Sequence, residues 1–470
     1  MKLRHLLAEE VLVDGRFVPA RVEILDGRIL SVHELAPGDT RRQTEIIRAS
    51  EVTAGVGTLR LRDGIKVLPG NVDTHVHINE PGRTSWEGFA TATAAAALGG
   101  VTTVVDMPLN SIPPTVSISA LEEKQAAARG QTYVDTGFWG GIVPGNTAEL
   151  RPLWEAGVFG FKCFLLPSGV DEFPPVSIPQ LREAMTEVAS FGGLVIVHAE
   201  DAATIEAASP LPMRRYSDWA GTRPHEAEVR AISALIEAVR DTGCRTHILH
   251  LASAQALDII KEAREEGLPL TVETCPHYLC FEAEKIPDGA AEFKCCPPIR
   301  DAGNREALWQ GLEEGLIDCI VSDHSPATSK EKYRGAPDLQ KAWGGISGLQ
   351  VGFNAVAHHA RQRGIGVERV SQWMARNTAD LVRLSAKGEI VAGKDADFAF
   401  YDPRETHVVS AQGLAHKNPV SAYDGLELVG TVVGSVLRGT QLFSSLDTTD
   451  PLPLEGAFLT NELTAEGVFE

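Results

Sequence analysis

Between residues 66 and 385 the chain alternates short, almost wholly apolar runs with amphipathic or Ala-rich stretches, and this alternation restricts the fold more than any other feature. Eight runs read as buried strands, at 66–72, 101–107, 133–140, 158–164, 194–198, 245–251, 269–274 and 318–322. Helical patterns at 85–98, 118–128, 178–190, 226–242 and 254–266 separate most of them. Strands buried on both faces read as continuous hydrophobic sequence, and strands joined through helices run parallel. Eight such units predict an α/β fold, a (β/α)8 TIM-like barrel, which at about 250 residues tolerates insertions. An open doubly wound sheet is the alternative, but no G-x-G-x-x-G follows any of the strands, so nothing points to a dinucleotide.

The two ends follow another pattern. Residues 10–50 alternate apolar and polar side chains around Asp14-Gly15-Arg16 and Asp26-Gly27-Arg28, dipeptides suited to two-residue hairpin turns. Similar grammar returns at 389–400 and 431–438. Each piece alone is too short for a stable sheet. The expectation is therefore one small β-sandwich domain built from both chain ends, 1–66 and 388–470, around a barrel of 67–387, since 470 residues exceed what one core usually serves.

Composition narrows the partners. A net charge of −20 disfavours nucleic acid and anionic membrane surfaces. No apolar run approaches the ~18 residues of a membrane span, and the first 14 residues carry charges through their apolar positions, unlike a signal peptide. Seven irregularly spaced cysteines fit a reducing cytoplasm rather than a disulfide framework.

Barrel chemistry belongs at the C-terminal ends of the strands, and polar groups collect there: His75 and His77 after the first strand, Lys162 in the fourth, His198 closing the fifth, His250 closing the sixth and Asp323 after the eighth. Residues two apart in a strand share a face, so His75 and His77 can converge on one cation. Singly, a strand-end histidine is often structural, a buried lysine can sit in an inert ion pair, and an aspartate can cap the next segment. Independent structural causes do not readily gather all six at one rim. His247 and His324, at odd spacing from His250 and Asp323, are expected to face away.

Asp73-Thr74-His75-Val76-His77, Gly160-Phe161-Lys162, the two strand-end histidines and Asp323-His324-Ser325-Pro326 together resemble the cyclic amidohydrolases, the dihydropyrimidinase-like branch of the amidohydrolase superfamily. Within that branch, 106–114, 160–164 with 168–174, and 343–350 are similar to the allantoinases. The resemblance spans nearly the whole chain. It implies two divalent metal ions, zinc first and cobalt, manganese, nickel or iron as alternatives. His75, His77 and Asp323 would hold one, His198 and His250 the other, and Lys162 would bridge them as a carbamate formed with carbon dioxide. It implies hydrolysis of the hydantoin-ring amide of allantoin to allantoate by a metal-activated hydroxide, with Asp323 taking the proton and returning it to the leaving nitrogen. It further implies substrate contacts at Asn79, Asn110, Cys296 and Gly345, and a homotetramer. Whether Arg83 or His277 also reaches the pocket is left open. Hydantoinase relatives carry a tyrosine shortly after the lysine, where this chain has Cys163-Phe164-Leu165-Leu166-Pro167-Ser168. Dihydroorotases typically read His-x-His-x-Arg, whereas Asn79 stands at the last position here. Non-enzymatic scaffold members have lost metal ligands; all six positions are filled in this chain.

Overall fold

The structure, a computed structural model, describes residues 2–44, 57–208, 211–445 and 452–465. Parts of the expected terminal β regions, at residue 1, 45–56, 446–451 and from 466 on, lie outside the described residues.

Eight parallel strands form the barrel: Asn71–Val76, Val101–Asp106, Asp135–Phe138 continued by Gly140–Gly141, Phe161–Phe164, Leu194–His198, Arg245–Ile248, Leu270–Thr274 and Cys319–Ile320. The third strand changes neighbours part-way, since Asp135–Phe138 pairs with strand two and Gly140–Gly141 with strand four. A parallel bridge between Val76 and His324 joins the eighth strand's end to the first and closes the ring.

The expected first strand breaks in two. Lys66–Pro69 pairs with the chain's first strand and with Phe398–Val408, outside the barrel, and the barrel strand starts only at Asn71. Gly70 is the joint. A Cβ there would lie 2.2 Å from Thr102 Oγ1, so no larger residue lets the backbone pass so close to strand two.

Helices Ile118–Ala128 and Ile178–Ser190 form where the pattern places them, the second opened by a capping box between Ser177 and Gln180. In Phe89–Leu98 the fully buried Ala92, Ala95, Ala96 and Ala97 present almost no side-chain volume, so this helix lies close against the barrel. The stretch at 254–266 begins as a 3-10 turn, Ala254–Ala256, before the α-helix Leu257–Glu265.

Both chain ends supply one mixed sheet, ordered Thr440–Ser444, Glu427–Leu437, Phe398–Val408, Lys66–Pro69, Leu3–Val13, Arg16–Leu25 and Arg28–Glu34, with Gly57–Arg60 also alongside Leu3–Val13. The Asp-Gly pairs make the expected hairpins: Asp14, Gly15, Asp26 and Gly27 all have positive φ, and Val13 pairs with Arg16 as Leu25 does with Arg28. Leu6, Val11, Val22, Val67, Phe398 and Val436 give this sandwich its own core. A buried ionic cluster ties it to the barrel. The Lys387 ammonium donates to Asp135 of strand three and to Asp397, both at 2.7 Å, and lies 2.9 Å from Asp395, while Arg438 also grips Asp135. Among the described residues no helix is long and apolar enough to cross a membrane.

Candidate active site

Strand ends deliver the polar groups to one place. The donor atoms of His75, His250 and Asp323 lie within 4.8 Å of one another. The His75 ring centroid is 5.5 Å from that of His77 and 5.4 Å from that of His250, which is 4.5 Å from that of His198. Lys162 Nζ lies 3.3 Å from His75 Nε2. All six residues singled out by the sequence are therefore brought together, each no more than 7 % exposed.

Surrounding groups decide which ring nitrogens face inward. Glu273 Oε1 accepts from His75 Nδ1 at 2.5 Å, which turns Nε2 toward Asp323 Oδ1, 3.1 Å away. Glu200 Oε2 accepts from His198 Nε2 at 2.7 Å and leaves Nδ1 free, and Arg223 grips Glu200 through two nitrogens. His250 Nδ1 is buried and has no hydrogen-bond partner among the described residues. His77 Nε2 lies 3.5 Å from Asp323 Oδ1, and Asn110 Nδ2 lies 3.4 Å from its Nδ1. Asn110 Oδ1 is unpartnered, so turning that amide over lets it accept from Nδ1 and frees Nε2.

Electrostatics match this arrangement. Burial pushes the Asp323 carboxyl up, but His75, His77 and His250 outweigh it and hold it well below the usual range. Burial lowers His77 to about 3 and His250 far below an ordinary histidine, so both imidazoles are neutral. Burial also lowers Lys162 to about 8 against the pull of Asp323 and Glu273, and among the described residues no carboxylate lies within ion-pair distance of its ammonium. Burial would lower His75 as well, but Asp323 and Glu273 outweigh it and hold that imidazole above its ordinary value. The donor set, imidazoles with one ionised carboxylate and a buried amine, suits divalent cations, whose charge would displace the His75 proton.

A cavity of about 250 Å³ opens onto these groups, lined also by Asn110, Arg223, Lys294, Cys296, Trp343 and Gly345. Larger hollows of about 400 and 500 Å³ lie elsewhere, beside Leu12 and Ser371 and beside Phe281 and Arg305, and hold no such cluster. Of the expected substrate contacts, Asn110, Cys296 and Gly345 line the cavity. Asn79 does not: it is buried, and its amide donates to Pro326 O at 3.3 Å. Arg83 is absent from the lining too, because Glu172 and the Asn110 carbonyl hold its guanidinium. His277 is fully buried, and among the described residues neither ring nitrogen has a hydrogen-bond partner; its donor atom lies within 4.8 Å of those of Cys275 and Asp323, outside the cavity lining.

Simple alternation misjudges His247. It does not face the helices: its Nε2 lies 3.1 Å from Glu273 Oε2, next to the cluster. The strand ends at Ile248, and His250 has φ 33°, so the chain turns before His250 and parity no longer carries through. His324 does point away, bonded to Glu87 and accepting from Gly348 N–H.

Several supporting groups escape a reading by strand ends. Glu273 accepts from His75 and from the His250 N–H, and Asp73 accepts from the His75 and Ser322 N–H groups, fastening strand one to strand eight. Asp106 accepts from Ile78 N–H and from Lys124, whose ammonium also bonds Met107 O. The available signal was a carboxylate inside an apolar strand, as in Leu270–Thr274, which must find a partner.

The amidohydrolase family model matches residues 66–442, most of the chain. The chain belongs to the amidohydrolase family. Its relatives place it among the allantoinases. An allantoinase from Streptomyces avermitilis is 49 % identical over 94 % of this chain and 95 % of its own length. One from Saccharomyces cerevisiae is 42 % identical over 97 % of this chain and 98 % of its own. Among solved structures, the L-hydantoinase (dihydropyrimidinase) from Arthrobacter aurescens superposes with a TM-score of 0.87 over 98 % of this chain and all of that one, at 28 % identity. Membership of this amidohydrolase family implies divalent metal binding, and the cluster described above offers the ligands.

Proposed function

We propose that this amidohydrolase opens the hydantoin ring of allantoin to give allantoate. The observation that carries the reading is the clustering of four imidazoles, one carboxylate and a buried lysine, of which His77, His198, His250, Asp323 and Lys162 line a single cavity and His75 lies just behind them. Identity of 49 % and 42 % to proteins named allantoinase, against 28 % to a hydantoinase of the same fold, favours allantoin over other cyclic amides.

His75, His77 and Asp323 would hold one divalent ion and His198 and His250 a second, with Lys162 bridging both once its amine has taken up carbon dioxide as a carbamate. Zinc suits these donors, and cobalt, manganese, nickel or iron can use the same set. When bound, the pair supplies an ionised water near neutral pH and polarises the ring carbonyl. The chain's own residues do the rest. Carbamylation of the neutral amine, with loss of one proton, would turn Lys162 into an anionic ligand whose burial the two cations would offset. Asp323 takes the proton of the attacking water and returns it to the leaving ring nitrogen; one carboxylate serves both steps because they are sequential. Glu273 and Glu200 fix the tautomers of His75 and His198, so their lone pairs face inward before any ligand arrives. Asn110, Cys296 and the backbone at Gly345 line the space left for the neutral ureide.

The proposed assembly is a cytoplasmic homotetramer, a reading that rests on the resemblance and on seven cysteines that are all unpaired. The deciding experiment is a hydrolysis panel of allantoin, hydantoin, dihydrouracil and dihydroorotate with defined divalent metals. Allantoin should give the highest kcat/KM. Equal or faster turnover of dihydroorotate or dihydrouracil would overturn the substrate while leaving the metal-dependent hydrolase standing.

A further inference from the structure

One wall of the cavity is fastened by an ammonium that does not itself line it. Lys332 ends the short helix Ser329–Lys332 and is 3 % exposed. Its Nζ donates to three backbone carbonyls, Lys294 O at 2.9 Å, Trp343 O at 3.1 Å and Gly345 O. Among the described residues no carboxylate shares those bonds. The carbonyls come from two separate segments, one leading to Cys296 and the other containing Gly344 and Gly345, and both line the cavity. Gly345 N–H donates to Lys294 O at 2.8 Å, and Lys294 in turn donates to Gln340 O and Ala342 O. The segments touch closely: a Cβ on Gly344 would lie 3.1 Å from Cys296 Sγ. A shift of a few tenths of an ångström would therefore change what a ring meets there.

We propose that Lys332 is the positioning residue of this cavity, its ammonium locking the 294–296 segment to the 343–345 segment and so setting how tightly the cyclic substrate is held. Ammonium ions are costly to bury, and burial, with Lys294 adding to it, lowers Lys332 to about 7. Besides Lys294, the titratable groups facing it are Cys295, Cys296, Glu292 and His277, and none of them bonds to it. A methionine would fill the same volume at lower cost, but it could not join two chain segments through their carbonyls. The substrate half of the inference rests on the allantoin reading; the locking of the two segments does not.

The test compares Lys332→Met and Lys332→Arg with wild type in the full-length, metal-loaded protein. Kinetics on allantoin are read beside hydrogen exchange at the Trp343 and Gly345 amides, which donate to Glu331 O and Lys294 O. Losing charge-assisted hydrogen bonds predicts a KM about tenfold higher or more in Lys332→Met, with kcat much less affected, and exchange at both amides faster by a similar factor. Metal content and circular dichroism should not change, and Lys332→Arg should recover most of the KM. A KM within about twofold of wild type with unchanged exchange would overturn the proposal, as would a loss confined to kcat. Should Lys332→Met fail to fold, Lys332→Gln keeps two N–H donors and should show the same shifts, smaller. Wild type inert toward allantoin would refute the substrate reading, while the exchange result would still decide the locking.

Discussion

Asp323 stands against His75 and His77 with its carboxylate buried but open to the cavity, so its proposed proton transfer and proposed metal binding are separated only by substitution. Asp323→Asn keeps an oxygen in place but cannot move a proton, and should lower kcat by about 10²–10⁴ while KM changes little. Near-normal turnover with intact metal content would assign the proton to another group. Glu273→Gln should cost about 10–100-fold in metal affinity or activity, the usual penalty for losing the carboxylate that orients a ligating histidine; titration of apo-protein with metal reads it directly. Lys332 makes a pH-dependent prediction. Its folded pKa is near 7, against about 10.4 in an unfolded chain, so between these values the unfolded state binds more protons and this group's contribution to stability grows as pH rises. The difference in Tm between wild type and Lys332→Met should therefore move in favour of wild type between about pH 6.5 and pH 9. At this scale the sequence shows the clustered residues because imidazole, amine and carboxylate stand out at the ends of apolar runs. It hides their supports, because Glu273, Glu200 and Arg223 look like ordinary charges until the barrel closes around them. Asn79 was misleading for the opposite reason: it lies two residues beyond His77, but its φ of 65° turns it onto Pro326 and out of the cavity wall.

Strand ends are where regular alternation stops, and here it stops by design of the backbone. Of the eight non-glycine residues with positive φ among those described, four lie in or beside the site: Asn79, Asn110, His250 and Asp323. Such conformations cost free energy and are retained where a side chain must be aimed. Strand positions could thus be read from hydrophobic runs, whereas the facing of His247 and the break at Gly70 could not: the first depends on the turn the chain makes at His250, the second on the close approach of strand two. Gly345 belongs to the same class, with φ 149° and Ser325 O only 2.4 Å from where a Cβ would stand. Gly345→Ala should displace the 343–345 segment and raise KM strongly, with a loss of stability of about 1–3 kcal/mol from the strained backbone. A melting curve and Michaelis kinetics on the same sample would separate the two effects.

Barrel and mixed sheet meet through Lys387, whose ammonium is 2 % exposed and surrounded by Asp135, Asp395 and Asp397. Lys387→Met would leave buried carboxylates with Arg438 as the remaining cation on Asp135, and should cost about 3–5 kcal/mol, read as a marked fall in Tm. That the two ends share a sheet was legible from the Asp-Gly hairpins and from the shortness of each piece. The identity of the strand that joins them was not, since Lys66–Pro69 reads equally well as the start of the barrel. That strand has a consequence for synthesis. Leu3–Val13 lies on one side of it and Phe398–Val408 on the other, so a ribosome must make nearly four hundred residues before the second neighbour exists. Until then the nascent chain carries a hydrophobic strand with one open flank, which is a template for pairing with other chains. The barrel's parallel strands, by contrast, can recruit one another in order as they emerge. Truncation before residue 398 should accordingly yield aggregates rather than a smaller soluble enzyme, and the amount of protein recovered in cells should depend on holding the N-terminal hairpins apart until translation ends.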